Sequence, residues 1–134
     1  MRTSTSAFTI KRWDETQNGD WEGGRLTRTL ATKAFTGQLE GTGLLEAVIL
    51  RMFGTQEGVT AHVGLERISG TLEGKTGTFV MVHQATSTDD SLEHEEWTIL
   101  PGSGTGELHG IRGHGTVSRE HELTLHYELG GAAD

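Results

Sequence analysis

The chain contains no cysteine, which excludes disulfide scaffolds, thiol nucleophiles and cysteine-based zinc sites. Basic residues are scarce: 11 Lys and Arg stand against 19 Asp and Glu, a formal charge of −8. Lys11-Arg12 is the one adjacent basic pair. Nucleic acid and anionic membranes both demand a clustered positive surface, so neither is expected as a partner. No apolar run approaches the ~18 residues of a membrane span. The opening Met1-Arg2-Thr3-Ser4-Thr5 lacks the apolar stretch of a secretion signal. A soluble cytoplasmic protein is the expectation. Proline occurs once, whereas glycine occurs 20 times in 134 residues, about twice the usual share. A collagen-like G-X-Y period is absent, and the apolar residues fall in short patterned runs that disordered chains lack. The length corresponds to one domain, residues 1–134.

Those runs alternate with period two, the mark of half-buried strands. Phe8 and Ile10 alternate with Thr9 and Lys11, and Leu26 to Thr32 continues in the same style toward Phe35. Val59, Ala61, Val63 and Leu65 share one face, with Thr60, His62, Gly64 and Glu66 on the other. Phe79, Met81 and His83 share a face, and further strands are read at Glu95-Trp97-Ile99, Leu108 to Ile111, and Leu123 to Leu129. The run Gly43 to Phe53 fits helix or strand; its Val48-Ile49-Leu50 core favours strand. A G-x-L-x-G pattern with a further glycine beyond it appears at Gly37-Leu39-Gly41, Gly70-Leu72-Gly74 and Gly106-Leu108-Gly110. Glycine within alternating segments marks sharp bends, as closing a small barrel requires. The fold class expected is all-β: a closed antiparallel barrel of about eight strands.

The run Pro101-Gly102-Ser103-Gly104-Thr105-Gly106-Glu107-Leu108-His109-Gly110-Ile111-Arg112-Gly113 resembles the hallmark of an uncharacterised bacterial family, domain of unknown function (DUF) 3224. Gly64-Leu65-Glu66-Arg67-Ile68-Ser69-Gly70-Thr71-Leu72-Glu73-Gly74, continuing to Gln84, and the opening Phe8 to Glu15 agree with it in colinear order. The resemblance implies a calycin-type barrel similar in fold to allene oxide cyclase and the plant dirigent proteins. It implies no established activity.

The Gly-rich run is no phosphate cradle. No Lys follows Lys75, so a P-loop is excluded, and His109 stands where a dinucleotide-binding turn needs glycine. Seven histidines form no His-x-His pair, and no metal or other cofactor is expected. His62 and His126 fall on polar faces. Asp89, Asp90, Glu93, Glu95 and Glu96 read as a solvated acidic loop.

His83 is the informative histidine, because it shares the apolar face of Phe79 and Met81. A turn near Glu73-Gly74-Lys75 would set Arg67 opposite Met81 and Glu66 opposite Val82, with His83 beside Leu65; a one-residue shift would swap these partners. A histidine near a carboxylate or guanidinium in a dry barrel is suited to proton transfer or ligand orientation. Tyr127 lies on an apolar face with its hydroxyl free to reach a partner. Trp13 and Trp21 flank a turn-like Asn18-Gly19-Asp20, where one of them would cover a barrel mouth, and Trp97 reads as packing. The site candidates are therefore His83, Glu66, Arg67, Tyr127 and Trp13. A barrel of this size holds one small apolar or amphipathic ligand. The alternatives are a cyclase- or isomerase-like enzyme using the same cavity, and a structural protein with a filled interior. Val80 and Val82 would leave the barrel wall apolar on both sides, so a homodimer is expected.

Overall fold

The computed structural model describes residues 1–21, 23–53, 58–88 and 91–130. The acidic pair Asp89-Asp90 lies outside them, as do the side chains of Trp21 and Glu93. Eight strands form a closed antiparallel barrel in sequence order: β1 (Arg2–Trp21), β2 (Gly24–Gly37), β3 (Leu39–Met52), β4 (Thr60–Leu72), β5 (Lys75–Thr88), β6 (Ser91–Ile99), β7 (Arg112–Val117) and β8 (Glu122–Glu128). The segment that fitted helix or strand is β3. β1 closes the ring on β8, from Arg2 opposite Tyr127 to Ala7 opposite Glu122, so each of the eight strands has a neighbour on both sides.

The hairpin between β4 and β5 sets which side chains enter the barrel. Leu72 pairs with Lys75, so the turn is the two residues Glu73 and Gly74, with φ of 47° and 88°. Positive φ at both positions belongs to the turn whose twist matches the strands it joins, and glycine enters it without strain. The resulting register is one residue off the expected one: Glu66 faces Met81, Arg67 faces Val80, and Gly64 faces His83. Glu66 therefore shares the interior with Ile68 and Leu72, while Arg67 points outward. The β4 faces are also opposite to what hydrophobicity suggests. Val63 and Leu65 are 56% and 55% exposed, whereas His62 lines the inside.

β1 carries two bulges, between Ile10 and Arg12 and between Gln17 and Gly19. Before the first, Ser4, Ser6 and Phe8 point inward; after it the parity switches, and Trp13 and Glu15 oppose the buried Ala31 and Thr29. An extra residue in one strand does this directly. Asn18-Gly19-Asp20 is thus no turn: β1 continues to Trp21, which pairs with Gly24.

One end of the barrel is filled. The three leucines of the glycine repeat, Leu39, Leu72 and Leu108, are all buried there with Ile111 and Tyr127. Leu108 to Ile111 is not a strand but follows from a single 3-10 turn, Gly106–Leu108. The run from Leu100 to Leu108 replaces β6 beside the first half of β5, since β6 pairs with β5 only from Met81 onward. Leu100 N–H donates to Val80 O, and Thr105 N–H donates to Thr78 O. Val80, Thr78 and Thr76 N–H donate to Ser103 Oγ, Thr105 Oγ1 and Glu107 Oε1. The hallmark residues thus satisfy a strand edge that would otherwise be open, and the glycines let the two backbones meet.

Candidate functional site

Odd-numbered residues of β2 point inward, and Lys33 sits among them between Ala31 and Phe35. It is 5% exposed, Glu66 0% and His83 2%. Lys33 Nζ lies 3.2 Å and His83 Nε2 2.9 Å from the same oxygen, Glu66 Oε1. His83 Nε2 and Glu66 Oε2 lack hydrogen-bond partners among the described residues. Glu66 Oε2 lies over Gly43, where an added Cβ would come within 2.2 Å of it. Glycine at 43 is what makes room for the carboxylate.

Burial pushes the Glu66 carboxyl up, but contact with His83 and the charge of Lys33 outweigh it and hold the group below its ordinary range. It is ionised. The Lys33 ammonium also stands 4.7 Å and 4.6 Å from the ring centres of Phe8 and Trp97, a cation–π arrangement strengthened by desolvation. The His83 ring packs on Trp97 at 3.7 Å between centroids.

This charged layer is the floor of a cavity of about 350 Å³ at the end away from the leucines. Phe8, Trp13, Leu45, Ile49 and Trp97 provide apolar walls; His62, Glu95, Arg119 and His121 supply polar groups. His121 stacks on Phe8 at 4.8 Å. Burial, then the charge of His83, pulls the His62 pKa down, with Glu95 opposing and Lys33 adding to the shift.

Trp13 is held from above. Its Nε1–H donates to Glu15 Oε1 at 3.0 Å, and Glu15 Oε2 accepts from the Arg51 guanidinium and the Thr27 hydroxyl. The Arg51 and Thr27 hydrogen bonds lower the Glu15 pKa from 4.5 to about 2 against some desolvation. A depressed pKa contributes stability above the unfolded value that is lost as pH falls through the folded one. Urea midpoints are therefore expected to fall on acidification from about 4.5 to about 2, and less steeply in Glu15→Gln.

Of the five residues singled out from sequence, His83 and Trp13 line this cavity and Glu66 lies buried against His83 beneath its floor. Arg67 does neither, because the register turns it to the outer surface. Tyr127 is buried at the opposite, filled end, its hydroxyl donating to Glu73; burial, then that bond, raises its pKa. Sequence reasoning missed Lys33 and the inward placement of His62. A signal for Lys33 existed in its parity with Ala31 and Phe35. Among the described residues, no group of three or more His, Asp or Glu side chains is arranged to hold a metal. The arrangement can donate hydrogen bonds from Lys33 and places the His83 imidazole against the Glu66 carboxylate, on a floor whose three side chains are almost fully buried.

A solved structure with the same architecture is that of a protein of unknown function from the DUF3224 family of Shewanella oneidensis MR-1, with a TM-score of 0.85 and 27% identity over 98% of this chain and 99% of that one. No curated protein matches the chain. The family profile described as "Protein of unknown function (DUF3224)" matches residues 4–130, a span that includes the glycine-rich strand cover, the three plugging leucines and the Lys33–Glu66–His83 floor. The chain belongs to the DUF3224 family.

Proposed function

We propose that the protein binds a small apolar or amphipathic molecule in the open half of its barrel. The observation that carries this reading is the cavity of about 350 Å³ whose aromatic walls end on a buried, charged floor. Ligand sites are typically apolar hollows with few, well-placed polar groups. A charged floor also destabilises a barrel that merely needs filling, since similar apolar residues would pack there at lower cost. Native mass spectrometry after gentle purification from the source cell is expected to show the chain with a co-purified small molecule. Ala47→Phe, placed on the inward wall, is expected to abolish that adduct while the barrel remains folded. Adducts unaffected by Ala47→Phe would refute the reading. A second reading, a cyclase or isomerase using the same cavity, draws on the His83–Glu66 contact, which could move a proton on a bound substrate.

The outer wall supports a further part of the proposal: that a second copy covers β2 to β5. Leu30, Val63 and Leu65 are among the exposed large apolar residues. They line one groove with Val48, Val82 and the charged Arg28, Glu46 and Asp14. Both charge signs on one apolar patch suit a two-fold contact, in which each Arg28 can face an acidic residue of the other copy. Light scattering is expected to give a dimer that Val63→Lys converts to monomer. A monomeric parent protein would exclude this contact.

A further inference from the structure

We propose that the ligand is a weak organic acid with a flat apolar body, which seats its carboxylate on the Lys33 ammonium beside the unpartnered Nε2 of His83. The inference rests on the cavity reading above and names its ligand class. Lys33 is the buried lysine at the cavity floor. Its Nζ has three N–H donors, and the hydrogen bond to Glu66 Oε1 uses one. The others have the faces of Phe8 and Trp97 nearby, weak acceptors that a ligand oxygen would outcompete. Those two rings and Trp13 also favour a flat, apolar body for the rest of the molecule.

His83 adds a second polar contact at the same floor: its Nε2 stands 2.9 Å from Glu66 Oε1 and has no hydrogen-bond partner among the described residues. The other polar groups around the cavity are less free to meet a ligand oxygen. Glu66 on β4 is held ionised. His62, also on β4, is disfavoured as a cation by burial and by His83 and Lys33. Glu15 on β1 is tied to Arg51, and Glu95 on β6 accepts from Trp97 Nε1. Arg119 and His121 stand on the exposed β7–β8 connection. The inward β3 residues Leu45, Ala47 and Ile49 do not titrate.

The test compares naphthoate with its uncharged isostere naphthamide by titration calorimetry on the intact chain. Near neutral pH naphthoate is expected to bind at least about tenfold more tightly. Lys33→Met is expected to erase the preference for the acid while naphthamide still binds; the comparison in the parent protein needs no variant and stands if that one fails to fold. Equal affinities overturn the acid assignment and leave the cavity reading intact. If neither probe binds, or Ala47→Phe binds both as well as the parent, the cavity reading falls with it.

Discussion

Replacing Lys33 by methionine is expected to lower the unfolding free energy by about 3–5 kcal/mol, the range for stripping one partner from a buried ion pair. That is a large part of the ~5–15 kcal/mol by which domains are stable. Glu66 would remain fully buried with its main positive neighbour gone. Glu66→Gln is expected to cost a similar amount, because Lys33 would keep its charge among Phe8 and Trp97 with no carboxylate to balance it. The double substitution Lys33→Met/Glu66→Gln is expected to recover most of the loss, since both charges leave together. Urea unfolding of the four proteins gives the coupling directly. Losses that simply add would mean that the two side chains do not sense one another. The pH dependence carries the same information. The folded pKa of Glu66 lies below its ordinary value, so its contribution is present above the unfolded pKa and fades as pH falls through the folded one. In Lys33→Met that pKa rises, and the acid-range slope of stability is expected to flatten.

The second large effect is expected at Gly77. A Cβ there would lie 2.0 Å from Thr105 O and 3.2 Å from Leu108 N, both backbone atoms. No rotamer change can relieve such a clash. The strand cover must retreat from β5 as a unit, weakening the hydrogen bonds of Thr76, Thr78 and Val80 and loosening Leu108 from the plug. Gly77→Ala is expected to cost about 3 kcal/mol, the upper part of the overpacking range. Amide exchange is expected to accelerate selectively at Thr76, Thr78 and Val80, with β2 and β3 unaffected. Protection unchanged at these three amides would show that the cover is not held through Gly77.

The barrel itself was legible because alternation and glycine spacing are local properties of the chain. The interior was harder to read, for three physical reasons. Two charged residues, Lys33 and Glu66, point inward while Val63 and Leu65 point outward, so the apolar face of β4 is not its core face. The β4–β5 register depends on a two-residue turn, and a shift of one residue exchanged Glu66 for Arg67 as the residue facing inward. The bulge at Lys11 changes the parity of β1, which is why Trp13 and Glu15 share a side with Phe8 despite their odd spacing from it. His83 was found because its neighbours Phe79 and Met81 obey the rule that Glu66 breaks. The glycine repeat was recognised as a device of the barrel, but its task, placing three leucines at one end, needed the third dimension.

The strict sequence order of the ring has a kinetic consequence. Seven of the eight strand pairs join neighbours along the chain, and only β1 with β8 does not. Hairpin growth can therefore assemble most of the sheet through short loops, each closed on a microsecond scale. The seam from Arg2–Tyr127 to Ala7–Glu122 must instead bring together segments separated by nearly the whole chain. The entropy of that closure grows only slowly, by about 0.6 kcal/mol per doubling of loop length. Until that closure the long first strand has one unpaired edge. The open seam is the point at which one folding chain could capture another.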